Sequence, residues 1–238
     1  MKSILITGAS SDVGTALLSQ IGKEYDLIYA HCAKNISFMD VMDDETKSKI
    51  VLISEDFNTE SAGTKVVETI NHKGIFPNDI VHFPAPKYTI SKFNKSSYEQ
   101  LDANIRISLS SIYRILQGIL PYQAQNKVET RVVMMLSSCT EGVPPKYTSE
   151  YTTVKYSLLG LLKSLASEYE GRGIAINGVS PDMMETKFLS EIQPLIIEQN
   201  AYTRPNGKNL SIDDTVSAII DLLTKKDISF SGNNIVVK

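Results

Sequence analysis

A chain of 238 residues with 42% apolar and 21% charged side chains can bury a sizeable α/β core and is too apolar for a disordered one. A net charge of −3 argues against a nucleic-acid partner held by a basic surface, and no apolar run reaches membrane-spanning length, so neither nucleic acid nor membrane is an expected partner. Two cysteines (Cys32, Cys139) and three dispersed histidines (His31, His72, His82) lack metal-ligand spacing; no metal is expected, and a reducing cytoplasm suits the thiols.

Strand-like and helix-like patterns alternate from end to end. "SILIT" (3–7) is a short apolar run with no signal-peptide pattern before it, and a helical pattern follows over 12–24. "DLIYAHC" (26–32) and "IVLIS" (50–54) read as the next strands, then a helix at about 60–72 and the strand "DIVHF" (79–83). A long helical segment over about 97–124 leads to "RVVMMLS" (131–137). A helix over about 149–170 stops at Gly171 and Gly173, before the strand "IAINGVS" (174–180). A last helix at about 211–225 precedes the strand "NIVVK" (234–238). Continuous apolar strands separated by helices predict a parallel sheet covered on both faces, and no composition shift divides the chain, so residues 1–238 read as one domain. Segment 187–210 mixes apolar residues with a polar tail and suits a flap over a site.

Two constellations carry chemistry. In "LITGASSDVGTAL" (5–17), Gly8 permits a tight strand-to-helix turn and Gly14 a close backbone approach. Free amides of the following helical turn can hold a phosphate, with Ser10 and Ser11 adding hydroxyls. Asp12 lies in that first turn, where a carboxylate suits the macrodipole; turned inward it would repel a pyrophosphate. In "SSCTEGVPPKYTSEYTTVK" (137–155), Tyr151 and Lys155 are one helical turn apart and share a face. The lysine is expected to lower the phenol's pKa, and Ser138, 13 residues before Tyr151, to fix a substrate oxygen. Together they suit proton transfer at a carbonyl or alcohol oxygen while hydride moves at carbon. A second copy of the spacing, Tyr88 to Lys92, follows two prolines and reads as a loop accident.

"ITGASSDVG", the Ser138–Tyr151–Lys155 arrangement, "NGVSPDMMET" (177–186) and "SGNNIVV" (231–237) occur in order and at spacings that resemble the short-chain dehydrogenase/reductase family, most closely its 3-oxoacyl-carrier-protein reductases. The resemblance implies a seven-stranded, doubly wound Rossmann-like sheet and an NAD(P)(H)-dependent oxidoreductase acting on CH–OH and C=O groups. Tyr151 would be its general acid/base, and Lys155 would also hold the nicotinamide ribose. It implies cofactor contacts from Gly8, Ser10, Ser11, Asp12, Val13 and Gly14, from Asp56 and Phe57, from Phe83, Pro84 and Ala85, and from Pro181, Met184 and Thr186. The substrate would be a small carbonyl or alcohol, free or carried on an acyl carrier.

The chain departs from the family pattern at several points. Asp12 replaces a glycine, and Phe83-Pro84-Ala85-Pro86 stands where the family has Asn-Asn-Ala-Gly. The catalytic-helix asparagine aligns with Ser108, with Asn104 one turn earlier as a substitute. A one-residue slip would exchange Ser137 and Ser138; the spacing to Tyr151 favours Ser138. The acid that ends strand two in NAD-preferring enzymes is here His31, with Lys34 nearby, so NADP(H) is expected over NAD(H). The resemblance also implies a homotetramer or homodimer paired through the helices over 97–124 and 149–170, where "YSLLGLLKSLA" (156–166) has more apolar residues than one core face requires. The competing class is a non-catalytic nicotinamide-dinucleotide-binding sensor or scaffold of the same fold.

Overall fold

The computed structural model describes residues 1–238. Strands β1 (Ser3–Thr7), β2 (Leu27–Cys32), β3 (Ile50–Ser54), β4 (Asp79–His82), β5 (Thr130–Met135), β6 (Ile174–Pro181) and β7 (Asn234–Val237) form one parallel sheet in the order β3-β2-β1-β4-β5-β6-β7. The helices are α1 (Asp12–Ile21), α2 (Asp44–Ser48), α3 (Ala62–Lys73), α4 (Tyr98–Asn104), α5 (Ser111–Gln125), α6 (Ser149–Glu168), α7 (Pro194–Tyr202) and α8 (Ile212–Thr224).

Successive side chains on a strand point to opposite faces, so an all-apolar strand needs cover on both. Ile4 and Ile6 of β1 pack with Leu17 and Leu18 of α1 and Ile219 of α8. Leu5 faces the other way, into a layer built from Val66, Ile112, Leu158 and their neighbours on α3, α5 and α6. Each such fully buried aliphatic side chain contributes about 1.5–3 kcal/mol of transfer free energy. The chain runs from β1 outward to β2 and β3 on one side, then crosses back to lay β4 on the other side of β1. That reversal opens a crevice at the C-terminal ends of β1 and β4, where open α/β sheets place their ligands.

The expected helix over 97–124 is two helices joined by a π-helical turn, Ile105–Ser110. A side chain from another strand accompanies the break: His82, at the end of β4, reaches the Ser108 carbonyl with Nε2 at 2.9 Å. A carbonyl only accepts, so Nε2 carries the proton, and Nδ1 accepts from the Thr7 hydroxyl at 2.7 Å. Insertion of a side chain into the helical ladder is a known cause of such turns. Segment 187–210 holds a short helical turn, Lys187–Leu189, then α7, and a Met184–Leu210 bridge closes its base. No helix is long and apolar enough to cross a membrane.

Candidate active site

Gly8 adopts φ +73°, and a Cβ there would lie 3.2 Å from the Phe83 Cβ. A Cβ on Gly14 would come within 2.5 Å of the Gly8 carbonyl, so α1 can approach the turn only through a glycine. Ser11 caps α1 by accepting the Gly14 amide at 3.0 Å. The amides of Ser10, Asp12 and Val13 have no acceptor within the protein, and these residues line a cavity of about 570 Å³. Unpartnered amides at a helix N-terminus fit a phosphate or diphosphate. The Asp12 carboxylate is engaged elsewhere: Oδ2 accepts the Lys187 amide at 2.7 Å, and the Lys187 ammonium lies 3.5 Å from Oδ1. Asp12 thus ties the glycine turn to the start of segment 187–210.

At the other end of the same cavity, α6 presents Tyr151 and Lys155 one turn apart. Lys155 is 3% exposed, donates to the Met135 carbonyl at 2.8 Å and stands 5.6 Å from the Tyr151 ring centre. Burial lowers its ammonium pKa to about 8. Burial raises the Tyr151 phenol above its ordinary value, with a Ser137 hydrogen bond opposing the rise. The expected depression by Lys155 is therefore absent in this geometry: the ammonium points to Met135, and desolvation dominates. The phenol stays protonated in this geometry.

The family model described as enoyl-(acyl carrier protein) reductase matches residues 19–238. The chain belongs to the short-chain dehydrogenase/reductase family. It is an oxidoreductase of that family. It is 25% identical over 246 residues to a mitochondrial borneol dehydrogenase of Lavandula x intermedia, covering 99% of this chain and 88% of the relative. Two solved structures share its fold. A Brucella melitensis 3-ketoacyl-(acyl-carrier-protein) reductase complexed with NADH superposes with TM-score 0.87 at 18% identity, covering 99% of this chain and 96% of that one. ElxO with NADP bound gives 0.86 at 17% identity, covering 99% and 96%.

Most positions implied by the family pattern converge on the one cavity. Gly8, Ser10, Ser11, Asp12 and Val13 line it beneath β1, and Asp56 and Phe57 line it beyond β3. Phe83, Pro84 and Ala85 border it at β4, and Pro181, Met184 and Thr186 after β6. Gly14 lies behind the lining, packed under Gly8.

Four residues named from the sequence lie outside this cavity or are engaged elsewhere: Ser108, Asn104, His31 and Lys34. Ser108 is 1% exposed and outside the cavity, because His82 holds its carbonyl in the π-helical turn; it offers no hydroxyl to the site. Asn104 borders only an adjoining cavity of about 10 Å³, the size of one water, beside Tyr151. Ser137 and Ser138 both line the cavity near Tyr151; the Ser137 hydroxyl accepts the Cys139 amide at 3.3 Å, and Ser138 opens a short helical turn at the cavity wall. His31 lines the cavity, but both ring nitrogens are engaged. Nδ1 accepts the Gly8 amide at 3.2 Å and Nε2 donates to the Glu55 carbonyl at 2.8 Å. The ring also stacks on Phe57 at 3.9 Å, and burial lowers its pKa to about 4. It is a neutral brace of the glycine turn with no donor left for a ribose or phosphate. Lys34 is exposed and does not line the cavity.

Sequence reasoning missed the aromatic wall around Tyr151. Tyr88 meets its ring edge-on at 4.8 Å and Phe188 lies 5.9 Å away. The Tyr88 amide donates to the Phe188 carbonyl at 3.0 Å, joining the loop after β4 to segment 187–210. Tyr88 belongs to the second Tyr-x-x-x-Lys spacing. That spacing forms no helical pair, yet its tyrosine reaches the site. The usable signal was its place just past the C-terminal end of β4, the sheet edge that carries ligands.

Proposed function

We propose that the protein interconverts a carbonyl and an alcohol by hydride transfer with a nicotinamide dinucleotide, with Tyr151 as general acid/base. The observation that carries this reading is the half-buried Tyr151 and buried Lys155 in the same cavity as three unpartnered amides at the glycine turn. The amides of Ser10, Asp12 and Val13 would hold the diphosphate, and Phe57 and Asp56 the adenosine end. The dinucleotide supplies or accepts the hydride at its nicotinamide ring. In the reducing direction Tyr151 donates its hydroxyl proton to the substrate oxygen; in the oxidising direction its phenolate takes that proton back. Ser138 on the cavity wall would hold the substrate oxygen, and Lys155, charged below pH about 8 and 5.6 Å from the Tyr151 ring centre, would have to turn its ammonium from the Met135 carbonyl to favour the phenolate. The names of the similar proteins, a borneol dehydrogenase and a 3-ketoacyl reductase, support that reaction class.

NADP(H) remains the favoured dinucleotide on a narrower basis. His31 no longer supports it, but no carboxylate ends β2 to repel a 2′-phosphate, and Lys34 lies just beyond on exposed chain. A homodimer or homotetramer in the cytoplasm completes the reading, supported by exposed Tyr98, Tyr113, Tyr122 and Tyr156 on α4, α5 and α6. The deciding experiment titrates the protein with NADPH and NADH and then follows turnover of a ketone panel. Tighter NADPH binding with ketone reduction is expected. Dinucleotide binding without any turnover would favour a sensor, and tighter NADH binding would reverse the cofactor preference.

A further inference from the structure

The cavity changes character beyond Tyr151. Its wall there is Tyr88, Phe188, Leu189, Met183, Cys139 and Pro145, all uncharged. The charged side chains that line the cavity at this end, Lys87, Asp182 and Lys187, each have a partner. Lys87 pairs with Glu191 at 2.8 Å, Lys187 with Asp12, and Arg204 with Asp182. Lys155 lies behind the phenol with its ammonium on the Met135 carbonyl. A carboxylate or phosphate entering here would lose its water and gain no free cation, which strongly disfavours it.

The three rings are mutually inclined. Tyr88 stands at 79° to Tyr151, and Phe188 at 35° to Tyr88 and 47° to Tyr151. Tilted and edge-on contacts of this kind extend readily to a fourth ring, and an aliphatic ring packs on the same faces. The Tyr88–Phe188 backbone hydrogen bond and the buried Tyr88–Leu189–Ile192 cluster join the two loops at this end. A charged arm leading to a carrier would meet this uncharged wall, whereas a compact neutral molecule packs against it. Resting on the carbonyl–alcohol reading above, the geometry points to a free, neutral, ring-bearing ketone or its alcohol as the substrate, with Tyr88 and Phe188 determining specificity.

The test uses the full chain with NADPH and compares kcat/KM for acetophenone, its carboxylate counterpart phenylglyoxylate, and acetoacetyl-coenzyme A. Acetophenone is expected to lead each by about tenfold or more. Equal or better turnover of either charged compound overturns the inference. Phe188→Arg places a cation in the wall and is expected to shift the acetophenone-to-phenylglyoxylate ratio toward the acid by about tenfold or more; an unmoved ratio also overturns it. A folding defect would lower both substrates together without moving the ratio, so circular dichroism accompanies this variant and Phe188→Lys repeats it. Binding separates this inference from the reaction itself. If no ketone turns over, the carbonyl–alcohol reading fails, and the affinities of 1-phenylethanol and mandelate for the NADP⁺ complex still decide the class of ligand. Tighter phenylethanol supports it; equal or tighter mandelate, or no phenylethanol binding at millimolar concentration, overturns it.

Discussion

The two ends of the cavity are built from different materials. The end beneath β1 is backbone: three free amides, two glycines whose missing Cβ atoms let chains approach, and a histidine bracing the turn. The end beyond Tyr151 is side chain: rings and aliphatic groups brought together from the loop after β4, from α6 and from segment 187–210. A backbone site needs a few residues at fixed spacing in one stretch. A side-chain site needs distant stretches to meet, and any apolar residue of suitable size will serve. The first end is suited to a group common to many enzymes, and the second to one substrate.

In the proposed reaction Lys155 serves both ends, so its loss is expected to break both. Lys155→Met is expected to lower kcat/KM by about a thousandfold. The same variant should weaken dinucleotide binding by about tenfold, read by cofactor fluorescence. Unchanged dinucleotide affinity would confine the lysine to the acceptor end. A smaller effect separates the two serines. Ser138→Ala should lower kcat by about 10- to 100-fold, whereas Ser137→Ala should cost less than about threefold; the reverse order would make Ser137 the substrate's partner.

Asp12 tests whether the ends are mechanically coupled. Asp12→Gly is expected to change dinucleotide affinity by less than about tenfold, under roughly 1.4 kcal/mol, because its carboxylate faces Lys187 and not the free amides. Hydrogen exchange at the Lys187 amide should accelerate in the variant. A large tightening of dinucleotide binding would show that the carboxylate opposes the phosphates. The smallest effect is on pH. The Lys155 cation is present below pH about 8 and lost above it, so dinucleotide affinity should fall severalfold between pH 7 and 9 and stay flat in Lys155→Met. This group's contribution to stability moves the other way. Between about 8 and the ordinary lysine value of 10.5, the folded chain binds fewer protons than the unfolded one, so its contribution rises with pH.

The same division explains what could be read in the sequence. All seven strands were legible because each is a short apolar run between turn signals, and the glycine turn because Gly8 and Gly14 are demanded by local backbone geometry. Tyr151 and Lys155 were legible because a helical turn fixes their separation. The π-helical turn was not, since it follows a contact from His82 on another strand. Nor was the bracing role of His31, which needs Gly8 and Glu55 beside it in space. Ser137 and Ser138 both line the cavity, and the spacing to Tyr151 is what favours Ser138. Tyr88 was dismissed with its lysine because helical spacing was the only pattern sought there, while its true partner, Phe188, comes from a distant loop.

The central claim is that Tyr151 supplies the proton while other groups hold the dinucleotide. Tyr151→Phe removes one hydroxyl and keeps the ring that packs against Tyr88 and Phe188. Measured side by side, NADPH affinity should stay within about threefold and kcat for ketone reduction should fall by about a thousandfold or more. Turnover comparable to that of the unaltered protein would contradict the assignment.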